Sequence, residues 1–340
     1  MTVRTDPDVQ IVSRRAVLVS AASWAFVACQ GDTGGMSLRD AARTGSSAEV
    51  AIERGEHEIR VLLDGSAFTA LHLGNEWDKP FLYPLRTVSG TVVSRGYPVE
   101  PRDGEERDHE WHRGIWYGHG DINGHDFWRE LGRDRTGTIV VLTEPAVETG
   151  EGTGSVAAEL GLRSADGEIQ GTLVQRHTFS AAGRLALIDT ELEFRANQGR
   201  DLRFGDTEDG GFAMRLADEF RQERGAVLLN SDGLTDTERI WGQEARWVDY
   251  SATVAGRQAG VVILDHPSNL RHPTRWHARG YSLCSANPFG LSDFSGEAGA
   301  DGSHTVPRGE SLVLRYRVVI HEGPTTAAEI EDWFQEFAAD

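Results

Sequence analysis

The chain has 340 residues, 34 of them basic and 53 acidic, for a formal net charge of -19. Hydrophobic residues at 39% and charged residues at 26%, with 9 Trp and 13 Phe, supply apolar surface for a sizeable core and exclude disorder over most of the length. So negative a field, in a chain whose one lysine is Lys79, excludes a non-specific grip on nucleic acid, and no run approaches the ~20 apolar residues of a membrane-spanning helix.

Residues 1–29 read as an export leader. Ser13-Arg14-Arg15 places paired arginines before a short apolar run that ends Ala25-Phe26-Val27-Ala28-Cys29, a twin-arginine signal with a lipoprotein cleavage site. Residues 30–48, beginning Gln30-Gly31-Asp32, have the composition of a flexible tether. The expected mature protein is extracytoplasmic or periplasmic and meets the membrane only through a lipid on Cys29. That lipid leaves Cys284 without an intramolecular partner, so no disulfide framework is expected. Twin-arginine export carries folded proteins, sometimes around a cofactor, and hints at a divalent metal.

Residues 49–340 are expected to form one domain. Glu58-Ile59-Arg60-Val61-Leu62-Leu63 and Gly171 to Phe179 alternate apolar with polar residues, the pattern of half-buried antiparallel strands. Similar runs follow at 138–142, 155–162, 185–194, 212–216, 226–229, 260–264 and 312–320, too close together for intervening helices. The fold class is all-β, a large antiparallel β-sandwich. The clear helix is the last element: Thr326-Ala327-Ala328-Glu329 forms a capping box, and Ile330, Trp333, Phe334 and Phe337 fall on one face, as expected of a lid over an apolar edge.

Three segments carry the candidate chemistry. The densest, Asp108 to Trp128, holds four of the 12 histidines and three of the 9 tryptophans. A strand from 113 to 119 would turn Arg113, Ile115, Tyr117 and His119 to one face and His112, Gly114, Trp116 and Gly118 to the other. His112 and His119 would then point oppositely, while His109 and His112 could converge on a metal or orient a sugar hydroxyl. Satisfied core and turn polars are the bland alternative.

The second segment, Phe204 to Arg215, leads an acidic loop (Asp206, Glu208, Asp209) into a strand ending in an arginine. It suits acid–base work or a divalent cation, or else is an ordinary solvated turn. The third runs from Trp247–Ser251 through Leu264-Asp265-His266, Asn269, His272, Trp276, His277 and Arg279 to Ser285–Gly290, centred on a proline-punctuated loop of the kind on which sites are commonly built, though the same residues could simply pin a long loop. Trp128 and Trp276 would offer flat faces to sugar rings, and arginine and asparagine bidentate bonds. There is no Gly-x-Ser-x-Gly elbow, phosphate loop or Cys-x-x-Cys pair, and His-Glu-Trp-His at 109–112 is one residue short of the helical zinc spacing.

Together the chain resembles the PmoA-like family, a bacterial family of unknown function named after a methane oxygenase subunit. The resemblance rests on Thr87 to Gly90 with Gly96-Tyr97-Pro98, on Asp108-His109 through His112-Arg113 to Gly124-His125-Asp126-Phe127-Trp128, on Phe204-Gly205-Asp206 with Gly210 and Arg215, and on Asp265 to Asn269 with Pro273-Thr274, Trp276-His277 and Asn287-Pro288-Phe289-Gly290. Trp111 stands where that pattern often has a further histidine. The resemblance implies a sandwich similar to sugar-handling supersandwich folds, and sugar oxidoreductases as partners in the same pathway.

The resulting expectation is an exported carbohydrate-active enzyme that cleaves a glycosidic bond by hydrolysis or elimination, with keto-glycosides among its substrates and a metal as an optional aid. Its catalytic candidates are His112, His119, Asp206, Glu208 and His277. Arg113, Asp126, Trp128, Arg215, Asn269, His272, Trp276 and Asn287 would bind substrate, and His109, His112 and His266 would hold any metal. The alternatives are a non-catalytic glycan-binding lipoprotein and a metal-dependent oxygenase.

Overall fold

In the computed structural model, which describes residues 47–340, two large antiparallel sheets face each other. The first has eight strands in the order β1 (Val50–Arg54), β2 (Glu58–Leu63), β3 (Ser66–His72), β4 (Phe81–Leu82), β5 (Ile115–His119), β12 (Gly210–Arg215), β17 (Leu283–Asn287) and β16 (Arg275–Arg279). The second has nine. Eight run in the order β13 (Val227–Asn230), β14 (Trp247–Val254), β15 (Arg257–Asp265), β19 (Ser311–Glu322), β10 (Leu185–Arg195), β9 (Ile169–Ala182), β8 (Thr153–Arg163) and β6 (Thr138–Val141), and β7 (Ala146–Gly150) pairs with β8. A small ribbon joins β11 (Leu202–Phe204) to β18 (His304–Val306). Among the described residues the α-helices are two short ones, α1 (Thr237–Ile240) and α2 (Leu291–Ser295), and the C-terminal α3 (Ala327–Ala338), with two 3-10 turns at Asp218–Phe220 and Gln222–Arg224. All the described residues belong to one compact unit, and the strands read from alternation fall on observed strands.

The leader, with Cys29, and the tether as far as residue 46 lie outside the described residues. The tether's last two residues already touch the sandwich, Ser47 bridging to Ala182 and Ala48 donating to Ala181.

Alternation explains the layers. Inward residues of the two sheets meet as Phe68 against Phe179, Tyr117 against Phe194 and Phe212 against Tyr316, the last pair stacked at 4.8 Å. Each sheet then has an outer face, and the two are used differently. On the nine-stranded sheet, Leu185, Leu187, Trp247, Val262, Leu264 and Val319 stay apolar because α3 lies across them with Ile330, Trp333, Phe334 and Phe337. The capping box is present, Thr326 and Glu329 satisfying each other's backbone N–H groups. The helix therefore covers a sheet face, where the sequence suggested an edge. On the eight-stranded sheet, one cross-strand row of the outer face reads His72, Phe81, Trp116, Ala213, Ser285 and His277. The next row carries Arg215, Leu283 and Arg279.

Two predictions follow from these layers. Trp333→Ala should destabilise the protein by about 3–5 kcal/mol in chemical denaturation, the cost of a large cavity under α3. His177, wholly buried in β9 with Nδ1 bonded to Thr190 Oγ1, has its pKa lowered by burial to about 3. Between its ordinary value of 6.5 and about 3 the unfolded chain binds a proton that the folded chain refuses, so stability is full above 6.5 and drains as pH falls. His177→Phe should make the fall of stability with acid shallower by up to about 1.4 kcal/mol per pH unit, read from denaturation series between pH 6.5 and 4.

Candidate functional site

The outer face of the eight-stranded sheet gathers most of the first two segments, and a glycine decides how. Gly114, just before β5, has φ +44, and a Cβ there would sit 1.9 Å from the Leu82 carbonyl oxygen. This turn breaks the alternation expected from 113 to 119. Arg113, expected beside Ile115, instead lies with His112 on the outer side, its guanidinium 4.5 Å over Trp77 and 5.4 Å over Phe81. From Ile115 onward the alternation holds: Trp116 faces out and His119 faces in.

The centre of the cluster is Asp108. Its Oδ1 accepts from Arg95 Nη1 at 2.5 Å and Arg215 Nη2 at 2.7 Å, and its Oδ2 from His109 Nδ1 at 2.8 Å. Burial works against this carboxylate's charge, but His109, Arg215 and Arg95 outweigh it and hold its pKa far below the usual range. Nδ1 donates to Asp108, and Nε2, the other ring nitrogen, bonds to no protein atom. The backbone of His109 has φ +41, a conformation rarely held by a non-glycine residue and common at functional sites. Its ring is stacked on His112 at 4.8 Å and on Tyr281 at 5.5 Å.

His112 is buried between His109 and Trp116. Arg215 Nη1 can only donate, so His112 Nδ1 accepts (3.2 Å) and the proton sits on Nε2, which is buried without a partner. Burial, then Arg215, His109, Arg95 and Lys79, push its pKa well below the ordinary value and keep it neutral. Arg215 also stacks 4.6 Å over Tyr281. Part-exposed Trp111 and Tyr281 and exposed His109 form the accessible rim.

The carboxylates of the 206–209 loop go separate ways. Asp206 accepts from the backbone of Ser292 and Gly302 and pins α2, so it stands outside the cluster. Glu208 accepts from Arg279 at 2.8 Å, and burial raises its pKa. Asp209 pairs with Arg129, and burial raises its pKa too, against the opposing pull of Arg129. Asp126 caps the backbone of Trp128 and Arg129 and shares Arg129 with Asp209.

His277 lies on the outer face with both nitrogens engaged: Nδ1 donates to the Glu208 carbonyl at 2.9 Å and Nε2 accepts from Arg279 Nε at 2.8 Å. Burial and then Arg279 lower its pKa to about 3. Asn287 donates to the carbonyls of Thr207 and Glu208. His277 and Asn287 thus position the acidic loop. Arg113 grips Glu130 with two guanidinium nitrogens, and Lys79 grips the same carboxylate at 2.8 Å.

Other candidates lie elsewhere. His119 is in the core between Phe204 and Phe289, donating from Nε2 to the Gly205 carbonyl. Trp276, offered above as a sugar platform, is wholly buried inside the sandwich with Nε1 bonded to the Ala245 carbonyl. Trp128 is on the outer side but buried against Trp116. Asn269 and His272 surround buried Asp265, and His272 and His266 pack on Phe334 and Phe337 of α3. The third segment is therefore split: its loop is pinned beneath α3, and of its proposed site residues His277 and Asn287 reach the outer face of the eight-stranded sheet, beside Arg279 and Ser285.

The metal set His109, His112 and His266 is not assembled. His266 belongs to the α3 contact, and the other two rings are parallel within 2°, so no point lies in both ring planes, where the nitrogen lone pairs are directed. Among the described residues no group of three His, Cys, Asp or Glu could hold a metal ion. The residues that sequence reasoning left without a role are Arg95, Asp108, Trp111, Arg129, Glu130, Arg279 and Tyr281. The Asp108-His109 adjacency was the one local signal for any of them, since the others meet the site only through the fold.

These features define a β-sandwich with an aromatic, arginine-rich acid–base cluster on one outer face. Residues 58–335 match the family of unknown function DUF6807, and the chain belongs to that family. This corrects the PmoA-like resemblance, to which nothing else points, and the link to sugar oxidoreductases that hung on it falls away. No curated protein matches the chain. Among solved structures, a galactose mutarotase-like protein from Clostridium acetobutylicum is 8% identical, with 82% of this chain and 99% of that one covered and a TM-score of 0.36. Galactose 1-epimerase from Lactobacillus acidophilus is 10% identical over 82% of this chain and all of that one, with a TM-score of 0.37. A GH36 alpha-galactosidase from Geobacillus stearothermophilus is 12% identical, over 85% of this chain and 42% of that one, with a TM-score of 0.32. These likenesses are distant, so the chemistry of this chain has to come from its own residues.

Gly114→Ala should cost at least about 2 kcal/mol in chemical denaturation, since the added methyl meets the Leu82 carbonyl in a left-handed turn. The same variant should perturb the fluorescence of Trp116 and Trp128, which pack on His112, and of Trp77, which lies under Arg113.

Proposed function

We propose that this protein is a carbohydrate-active enzyme that cleaves a glycosidic bond, with the outer face of the eight-stranded sheet as its active site and His109 as its base. The observation that carries this reading is the Asp108–His109 pair: a carboxylate anchored on two buried arginines orients an exposed imidazole whose Nε2 has no protein partner. Such a pair is suited to taking a proton from carbon or from water. Trp111 and Tyr281 supply the ring faces that a sugar would stack on, in place of Trp128 and Trp276. Elimination is favoured over hydrolysis by paired carboxylates, because Glu208 and Asp209 are tied to Arg279 and Arg129 and a histidine base stands next to arginine. Export and lipid anchoring on Cys29 remain part of the proposal.

His109→Gln should lower product formation from a responsive glycoside by at least about 100-fold, measured by mass spectrometry, while leaving glycan binding within a few-fold. Binding by the unaltered protein with no product from any glycoside, keto-glycosides included, would replace the enzyme by a glycan-binding protein. Its affinity would then follow Trp111 and Tyr281.

A further inference from the structure

The outer-face cluster is richer in positive charge and in donors than its protein ligands can satisfy. Arg95 and Arg215 share Asp108, and Lys79 and Arg113 share Glu130, so four buried cations contact two carboxylates in a chain whose net charge is -19. Glu105, the next acid acting on Arg95, spends its oxygens on the backbone N–H groups of Gly96, Tyr97 and Arg102. Asp218, which acts on Arg215, is paired with Arg224. His112, between the two pairs, feels Arg215, His109, Arg95 and Lys79, all basic. Six buried N–H donors here have no acceptor: Trp111 Nε1, His112 Nε2, Trp116 Nε1 and the Nε atoms of Arg95, Arg113 and Arg215. Buried donors and shared cations are costly unless an acceptor arrives, and a neutral hydroxyl supplies no charge.

Building on the carbohydrate reading above, we propose that the substrate is an acidic sugar, a uronic acid residue whose carboxylate is drawn to the donor-rich wall of Trp111 and His112 between the two cation pairs. Trp111, part-exposed on the loop that leads from the rim to His112, would both admit and bond this carboxylate.

The choice of substrate also gives the base its task. A carboxylate neutralised by cations acidifies the C–H next to it. His109 Nε2 takes that proton, the C–H electron pair becomes a carbon–carbon double bond, and the C–O bond to the neighbouring sugar breaks. The departing oxygen takes a proton from the Tyr281 hydroxyl, which stacks beside His109, and both residues re-equilibrate with solvent. No oxidant, reductant or water is consumed.

The test is calorimetric binding of D-glucuronate, D-galacturonate, D-glucose, D-galactose and acetate to the protein and to Trp111→Phe, which keeps the ring but loses its N–H. Thermal denaturation checks that the variant is folded. The expected result is uronate binding at least about ten-fold tighter than binding of either neutral sugar or of acetate, weakened by rising salt and reduced about ten-fold in the variant. Neutral sugars bound as well as uronates would overturn the acidic-sugar assignment and leave the carbohydrate reading standing. Acetate bound as tightly as uronate would mean an anion site that ignores the sugar, which overturns both. Uronate affinity unchanged in a folded Trp111→Phe would remove the carboxylate from this wall, and no binding of any of the five would likewise overturn the assignment.

Discussion

Two buried arginines sharing one carboxylate hold the outer face together. Arg95 comes from a loop, Arg215 from the end of β12, and Asp108 from the segment between β4 and β5, so their contact closes a chain excursion onto the sheet. Arg95 also donates to the carbonyls of His109 and His112, which fixes the backbone on both sides of Trp111. Burying two arginines is tolerable only because part-exposed Asp108 and nearby carbonyls bond them, and losing that carboxylate would leave bare charge in a dry environment. The same contact sets the proton on His109, by accepting at Nδ1, and on His112, by donating to it. Proton placement at the site is thus a by-product of how the loop is fastened.

The sandwich divides its faces by task. Inner faces carry the apolar core and some histidines that charge reasoning alone would have sent elsewhere. His119 and His177 are such cases, kept neutral by burial in the way that any imidazole with only one good partner inside a core must be. One outer face is closed by α3, whose apolar stripe matches that sheet. The other outer face carries polar side chains, some rooted in strands (Arg215, His277, Arg279) and the rest on loops, Asp108 and His109 among them, that the strand-borne arginines fasten down.

The histidine- and proline-rich loop after β15 shows what an aromatic helix can demand of a neighbouring segment. Asp265, buried, accepts from Asn269, His272 and the backbone of Thr274, and the rings of His266 and His272 rest on α3. In composition this loop looks like a site. In space it is a fastening, and it serves the site only by leading into β16, where His277 and Arg279 begin.

Strand positions, the sandwich class and the capped C-terminal helix were legible in the sequence, because period-two alternation, the capping box and the i, i+3, i+4, i+7 stripe are local and repeat. The opposite facing of His112 and His119 was legible for the same reason. Alternation could not anticipate Gly114, where a close carbonyl requires a left-handed turn and moves Arg113 across the sheet. Nor could spacing bring Arg95 to Asp108, which meet where the segment between β4 and β5 folds back on itself, or Tyr281 to His109 and Arg279 to Glu208, which meet by strand order, with β5, β12 and the β16–β17 pair adjacent despite their separation along the chain. Local patterns therefore determined where the strands run and how side chains alternate within them, while only the tertiary structure decided which face is the core and which side chains touch, because long-range sheet pairing is set by the whole fold's packing and carries no signature in neighbouring residues.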